Sequence, residues 1–166
     1  MTLQATGRKD ERDPSWVVFT RTFRAPVDDV WASITEPERL ERWIGTWEGD
    51  PASGQVLFTM TAEGEGAQPV VNEIDECRPP YLLQVSFTEE GQPWVLRLEL
   101  RESDGVTTLD FAQRITDPEL GASVGPGWEY YLDRLVTAQA GGDAGTVQWG
   151  DYFPAMSDHY RSLLAT

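Results

Sequence analysis

The spacing of apolar positions changes twice along this chain. Residues 16–24 alternate as a strand does, and then Val27, Val30, Trp31 and Ile34 fall at i, i+3, i+4 and i+7, which predicts a helix with one apolar face. Pro26 suits its first turn, where Asp28 and Asp29 also meet the positive end of the helix dipole. Thr35 and Glu38 fit a capping box with Pro37 at the start of a second short helix, whose inner side carries Leu40, Trp43 and Ile44.

The period then falls to two. A short strand is expected over 47–50, followed by a turn at 50–54 and a strand over 55–63 with Val56, Phe58 and Met60 on one face. Further strands are expected over 70–77, 81–88, 94–102 and 106–116. Leu83, Val85 and Phe87 share one face, as do Trp94, Leu96, Leu98 and Leu100, while Leu109 and Phe111 point inward from the last strand. Ser103, Asp104 and Gly105 make a hairpin turn. Consecutive hairpins of this kind predict an antiparallel meander with one buried and one wet face.

Helical spacing returns after Gly125-Pro126-Gly127, where Trp128, Tyr131, Leu132, Leu135 and Val136 form one face and Gly141-Gly142 ends the helix. Phe153, Met156, Tyr160 and Leu163 predict a short terminal helix over 154–164. The fold class is therefore α+β, with one curved antiparallel sheet wrapped around one long C-terminal helix. The domain is expected over 16–166, preceded by a disordered tail over 1–15.

Composition narrows the function. A chain of 166 residues builds one domain with a sizeable core, and no apolar run approaches the ~20 residues of a membrane span. The start of the chain lacks the hydrophobic stretch of a signal peptide, and the single cysteine, Cys77, fits a reducing cytoplasm. Thirteen basic against 28 acidic residues give a formal charge of −15, which argues against nucleic acid and anionic membranes as partners. One lysine, Lys9, placed in the expected tail, and one histidine, His159, exclude a P-loop, a Schiff-base lysine on a folded element and a histidine-based zinc site. No metal and no cofactor are expected, and any chemistry would fall to carboxylates, tyrosines, arginine or bound water.

The motifs A-P-x-x-x-V-W from Ala25, T-x-P-E-x-L-x-x-W through Trp43 and G-W-x-x-Y-L-D-R-L from Gly127 resemble the START-like (SRPBCC) superfamily. Within it the chain is similar to bacterial single-domain members of the branch named after the activator of heat-shock-protein-ninety ATPase. The resemblance spans 16–164. It implies a helix-grip fold, in which the sheet closes on the long helix around a cavity, as in the birch-pollen allergen, lipid-transfer domains and polyketide aromatases or cyclases. The eukaryotic co-chaperone is similar only through its C-terminal domain. Its separate chaperone-binding domain has no counterpart here, so a chaperone partner is not carried over.

The inward faces predict a cavity lined by Phe58, Met60, Val85, Phe87, Trp94, Leu96, Leu98, Phe111, Gln113, Trp128, Tyr131 and Leu135, with Trp43 and Trp47 near its mouth. The same bulky residues are equally able to fill the space as ordinary core. Three groups are candidates for polarising a carbonyl or moving a proton. Arg21 shares a face with Phe19 and Phe23 and points inward or, as favoured, snorkels at the sheet edge. Glu73 shares a face with Asp75 and is favoured to point outward; turned inward, the two would form a raised-pKa pair. Tyr131 offers its hydroxyl to a substrate or to the backbone. The first expectation is a domain binding an apolar or amphipathic small molecule. The alternatives are a cyclase-, aromatase- or hydrolase-like enzyme using the same cavity, and a co-chaperone-like interaction module. Monomer and homodimer both remain open, with Trp47 or Trp149 as a dimer surface.

Overall fold

The computed structural model describes residues 3–165. Eight strands form one antiparallel sheet in the order β1-β2-β8-β7-β6-β5-β4-β3. The strands are β1 (Arg8–Lys9), β2 (Trp16–Phe23), β3 (Thr46–Glu48), β4 (Gln55–Thr59), β5 (Val70–Arg78), β6 (Leu82–Glu89), β7 (Gln92–Ser103) and β8 (Val106–Arg114). Helices α1 (Val27–Thr35) and α2 (Pro37–Leu40) follow β2, the long α3 (Pro118–Gln139) crosses the concave face, and α4 (Ser157–Leu164) packs on α3. This is the helix-grip arrangement. Among the described residues, no helix is long and apolar enough to cross a membrane.

The alternation of β2 divides the molecule. Val17, Phe19 and Phe23 join Leu109 and Phe111 of β8 beneath Trp128, Leu132 and Leu135 of α3, all buried. On the convex side, Trp16, Val18 and Ala112 make a small separate cluster. The guanidinium groups of Arg97 and Arg114 lie 5.5 and 5.1 Å from the Trp16 ring and shield its faces from water.

Four expectations need correction. Residues 3–15 are not a loose tail: β1 pairs Arg8 with Val18 and Lys9 with Val17, so Lys9 lies on a folded element. The segment is fixed from above, where the Glu129 carboxylate accepts hydrogen bonds from the Thr6 backbone and hydroxyl. The capping box does not form, because Thr35 is still the last residue of α1 and donates its hydroxyl to Trp31 O at 2.7 Å. The strand expected over 55–63 stops at Thr59 and turns through a 3₁₀ segment at Thr61–Glu63.

The fourth correction is the largest. The Gly125-Pro126-Gly127 run lies inside α3, which begins nine residues before Gly127, at Pro118. Asp117 caps it by accepting from Glu119 N at 3.0 Å, with Pro118 in the first turn. Gly121 and Gly125 are there for close packing. A Cβ at Gly121 would sit 2.3 Å from Leu164 Cδ1, and one at Gly125 would sit 2.3 Å from the Tyr160 ring. Two missing side chains one turn apart let α4 lie against α3.

Candidate functional site: a cavity between the sheet and the long helix

Between the outer strands β4–β7 and α3 the sheet leaves a cavity of about 880 Å³. The central strands β2 and β8 are pressed against α3 by Phe19, Leu109 and Phe111, but β4, β5 and β6 curl away from the helix. Phe58, Met60, Val85, Phe87 and Trp94 line the space and are only half-buried, although they point to the concave side. Phe87 and Trp94 stack with ring centres 5.5 Å apart. Leu96, Leu98, Phe111 and Trp128 form the floor, Tyr131 stands on the helix side, and Trp43 and Trp47 lie on the wall formed after α2.

Two residues expected in the lining are elsewhere. Leu135 is fully buried beneath α3, in core that the central strands fill. Gln113 is 1% exposed and lies behind the floor, where its Oε1 accepts the Trp128 indole N–H. Other wall tryptophans are anchored in the same way: Trp43 Nε1 donates to Ser33 O at 2.9 Å and Trp47 Nε1 to Thr35 O at 2.7 Å. Trp47 is thus turned into the wall. Trp149 is 43% exposed at the rim, stacked on Phe153 at 5.4 Å and met edge-on by Tyr130 at 5.3 Å.

Tyr131 is the one catalytic candidate that reaches the cavity. Its hydroxyl donates to Glu63 Oε1 at 2.9 Å, joining the long helix to the turn after β4 across the opening. Burial and the Glu63 charge hold the phenol well above its usual range, so at neutral pH it is a proton donor already engaged.

Arg21 and Glu73 lie outside the cavity. Arg21 does not snorkel at the sheet edge, the reading favoured from the sequence, but points under α3 into a buried ion cluster: it donates to Glu129 Oε1 at 2.8 Å and to Asp133 Oδ1 at 2.9 Å. Tyr160 and Gly7 N also donate to Glu129, and Tyr152 donates to Asp133 at 2.6 Å. Burial opposes the charge on Glu129, yet the hydrogen bonds from Thr6, Tyr160 and Arg21 outweigh it and hold the carboxyl below its ordinary range. A carboxylate and a guanidinium so fully engaged have no capacity left for a substrate. Glu73 is exposed on the convex face, as is Asp75.

The cavity includes residues that alternation alone misplaces. A bulge in β5 shifts its register with β6 between Ile74 and Glu76, so that Ile74 faces Val85 but Cys77, not Glu76, faces Leu83. The bulge keeps a carboxylate out of an apolar wall and brings Cys77 to its lip. Partial burial raises the Cys77 thiol, which reduces the thiolate fraction. Glu63, Gln68, Asn72 and Glu89 were also missed as lining. Glu63 and Gln68 lie in a turn without alternation, whereas Asn72 shares the inward face of Val70 and Ile74, and Glu89 that of Val85 and Phe87, where an apolar lining hides a polar member. Among the described residues, no group of three or more His, Cys, Asp or Glu side chains is placed to hold a metal ion.

Comparison with solved structures supports this architecture. The chain is similar to the crystal structure of CalU16 from Micromonospora echinospora, with 25% identity, a TM-score of 0.72 and coverage of 96% of this chain and 95% of that one. It is similar in fold to the protein encoded by BPP1335 of Bordetella parapertussis, at 19% identity and TM-score 0.68, covering 97% and 92% of the two chains. DynU16, a protein of the dynemicin biosynthetic locus, shares the fold at 21% identity and TM-score 0.60 over 78% of this chain and 49% of that one. No curated protein matches the chain. A family model does match it, over residues 24–139, from the last residues before α1 to the end of α3. That span contains both the wall strands and the helix that close the cavity, and it places the chain in the family described as Activator of Hsp90 ATPase homolog 1-like protein.

Proposed function

We propose that this protein binds an apolar or amphipathic small molecule in the cavity between β4–β7 and α3. The observation that carries the reading is the aromatic wall: Phe58, Phe87 and Trp94 point to the concave side yet keep solvent-accessible surface around about 880 Å³ of space. Had these side chains served only as core, the sheet would have closed on them as it does on Phe19 and Phe111. A volume of this size lies within the ~300–1,000 Å³ typical of small-molecule sites, and apolar surface left open has no stabilising role in the free protein. The indole hydrogen bonds of Trp43, Trp47 and Trp128 fix the lining on either side of that wall whether or not a ligand is present, which lowers the ordering cost of binding.

Of the three candidate groups only Tyr131 borders the cavity, and its proton is committed to Glu63.

The test is a fluorescence titration with the neutral apolar dye N-phenyl-1-naphthylamine, followed by native mass spectrometry of protein taken from its source. Wild type is expected to bind the dye with saturation. Val85→Trp, which puts an indole into the space, is expected to weaken binding by at least about tenfold, or ~1.4 kcal/mol, while leaving the melting temperature near that of wild type. Undiminished binding in Val85→Trp, or no saturable binding to wild type, would refute the cavity as the site.

A further inference from the structure

The polar groups around the cavity are unequally divided between donors and acceptors. The indole N–H groups of Trp43, Trp47 and Trp128 are spent on Ser33 O, Thr35 O and Gln113 Oε1. The Tyr131 hydroxyl is spent on Glu63, and one of the two amide N–H groups is spent on Gly66 O at 3.3 Å in Gln68 and on Val70 O at 3.1 Å in Asn72. The lining adds two carboxylates, Glu63 and Glu89, and no lysine, arginine or histidine. An ionised carboxylate offers about four acceptor sites, and the Tyr131 bond occupies one at Glu63. Donors left in the lining, such as the Trp94 indole, are neutral.

Arg134 of α3, one turn beyond Tyr130, is directed elsewhere. Its Nε donates to Trp43 O at 2.8 Å and a terminal nitrogen to Ala144 O at 3.1 Å, while its guanidinium lies 5.4 Å from the Tyr130 ring centre. It braces the wall and does not enter the cavity. A carboxylate or sulfate headgroup would therefore meet two carboxylates in a lining that holds no cation, the nearby Arg134 being engaged by Trp43 O, Ala144 O and the Tyr130 hydroxyl. A protonated amine would meet acceptors and the aromatic rings of Tyr131 and Trp149, which attract cations, the Tyr130 ring being already engaged by Arg134.

We propose that the ligand is an amphiphile whose polar end is a protonated amine, and that Glu63, fixed by Tyr131 across the cavity mouth, is the seat of that amine. The assignment rests on the cavity being a ligand site. The apolar part lies against Phe58, Phe87 and Trp94, and the ammonium group donates to the free acceptor positions of Glu63. Anionic amphiphiles of the same length are rejected.

Displacement of N-phenyl-1-naphthylamine by dodecylammonium, dodecanol and dodecanoate tests this at neutral pH and low ionic strength, with each probe below its micelle-forming concentration. Dodecylammonium is expected to bind more tightly than dodecanol and at least about tenfold more tightly than dodecanoate. Glu63→Gln keeps an acceptor for Tyr131 but removes the charge, and should cut the ammonium-to-carboxylate preference by about fivefold, as expected for a partly exposed ion pair. Glu38→Gln, an exposed change of equal charge on α2, controls for the general field of the acidic surface and should leave the preference as it is. Equal binding of dodecanoate and dodecylammonium, or equal effects of the two substitutions, overturns the Glu63 seat. A bound dye that none of the three probes displaces overturns the amphiphile assignment but leaves the cavity reading standing. No dye binding at all overturns the cavity reading itself.

Discussion

Arg21 and Glu129 carry opposite charges into the space between β2 and α3, with side-chain exposures of 11% and 1%. Such a pair recovers its desolvation cost only when every remaining lone pair and proton is engaged. Here Thr6, Gly7 and Tyr160 complete Glu129, and Asp133, Thr6 and Thr20 complete Arg21. Removing one partner strands the other, so Glu129→Ala is expected to cost ~3–5 kcal/mol in urea denaturation. The pH dependence follows from the lowered Glu129 carboxyl. Its contribution is fully present above the ordinary glutamate value of about 4.3 and is lost as pH falls through the lower folded value. Melting temperature should therefore drop on acidification below about pH 4, and Glu129→Gln should be less stable at neutral pH but show a shallower drop in that window. A slope unchanged by Glu129→Gln would assign the acid sensitivity to other carboxylates.

Helix α3 separates the two uses of glycine in a single run. Gly125→Ala would drive a methyl group into the Tyr160 ring, whereas a Cβ at Gly127 meets nothing within 4 Å. Gly125→Ala is expected to destabilise by about 1–3 kcal/mol through overpacking, and Gly127→Ala to stabilise by roughly 0.5–1 kcal/mol through helix propensity. Denaturation midpoints of the two variants shifting in the same direction would contradict this account. The contrast also explains why Gly125-Pro126-Gly127 reads from the sequence as a break before the helix. Local propensity disfavours a helix there, and the compensating contact comes from Tyr160, some 35 residues later. The strands were far more legible, because alternation records a choice of face residue by residue. Alternation fails only where the ladder does: at the β5 bulge, which moves Cys77 to the cavity lip, and after Thr59, where the chain turns towards Glu63. Arg21 illustrates the same limit for charge: its face is shared with Phe19 and Phe23, yet the sheet edge is the favoured reading, because the partners on α3 that draw it inward leave no local trace.

At the scale of the molecule, stability and the cavity occupy different ends of the sheet. β1 stands at one edge and β3 at the other, with the cavity lined by α3 and by strands from β7 to β3 in that order, reaching β8 only at Phe111. Deleting residues 1–9 removes β1 and uncovers Glu129. The denaturation midpoint is expected to fall by at least as much as in Glu129→Gln, while dye affinity in the surviving folded protein stays within about twofold. A matching loss of affinity would show the two ends to be coupled. That β1 escapes notice in the sequence has a physical reason: two residues carry no period, and their order is imposed by Glu129 and Tyr160. Whether the interior was filled or open was equally beyond the sequence, because it depends on how far β4–β6 curl from the helix.

The adjacency of β2 and β8 also constrains how the chain is made. Phe19 pairs with Phe111, across about ninety residues of intervening chain, whereas β4 to β8 are joined in sequence by neighbouring hairpins. At ~5–20 residues per second, a growing chain leaves β2 without its partner for roughly 5–20 s. During that interval Val17, Phe19 and Phe23 are exposed, and closing so long a loop is entropically unfavourable until β8 exists to reward it. The hairpin meander is then expected to fold early and β2, with β1 on its outer edge, to dock last, so the strand most in need of protection before folding ends lies near the start of the chain.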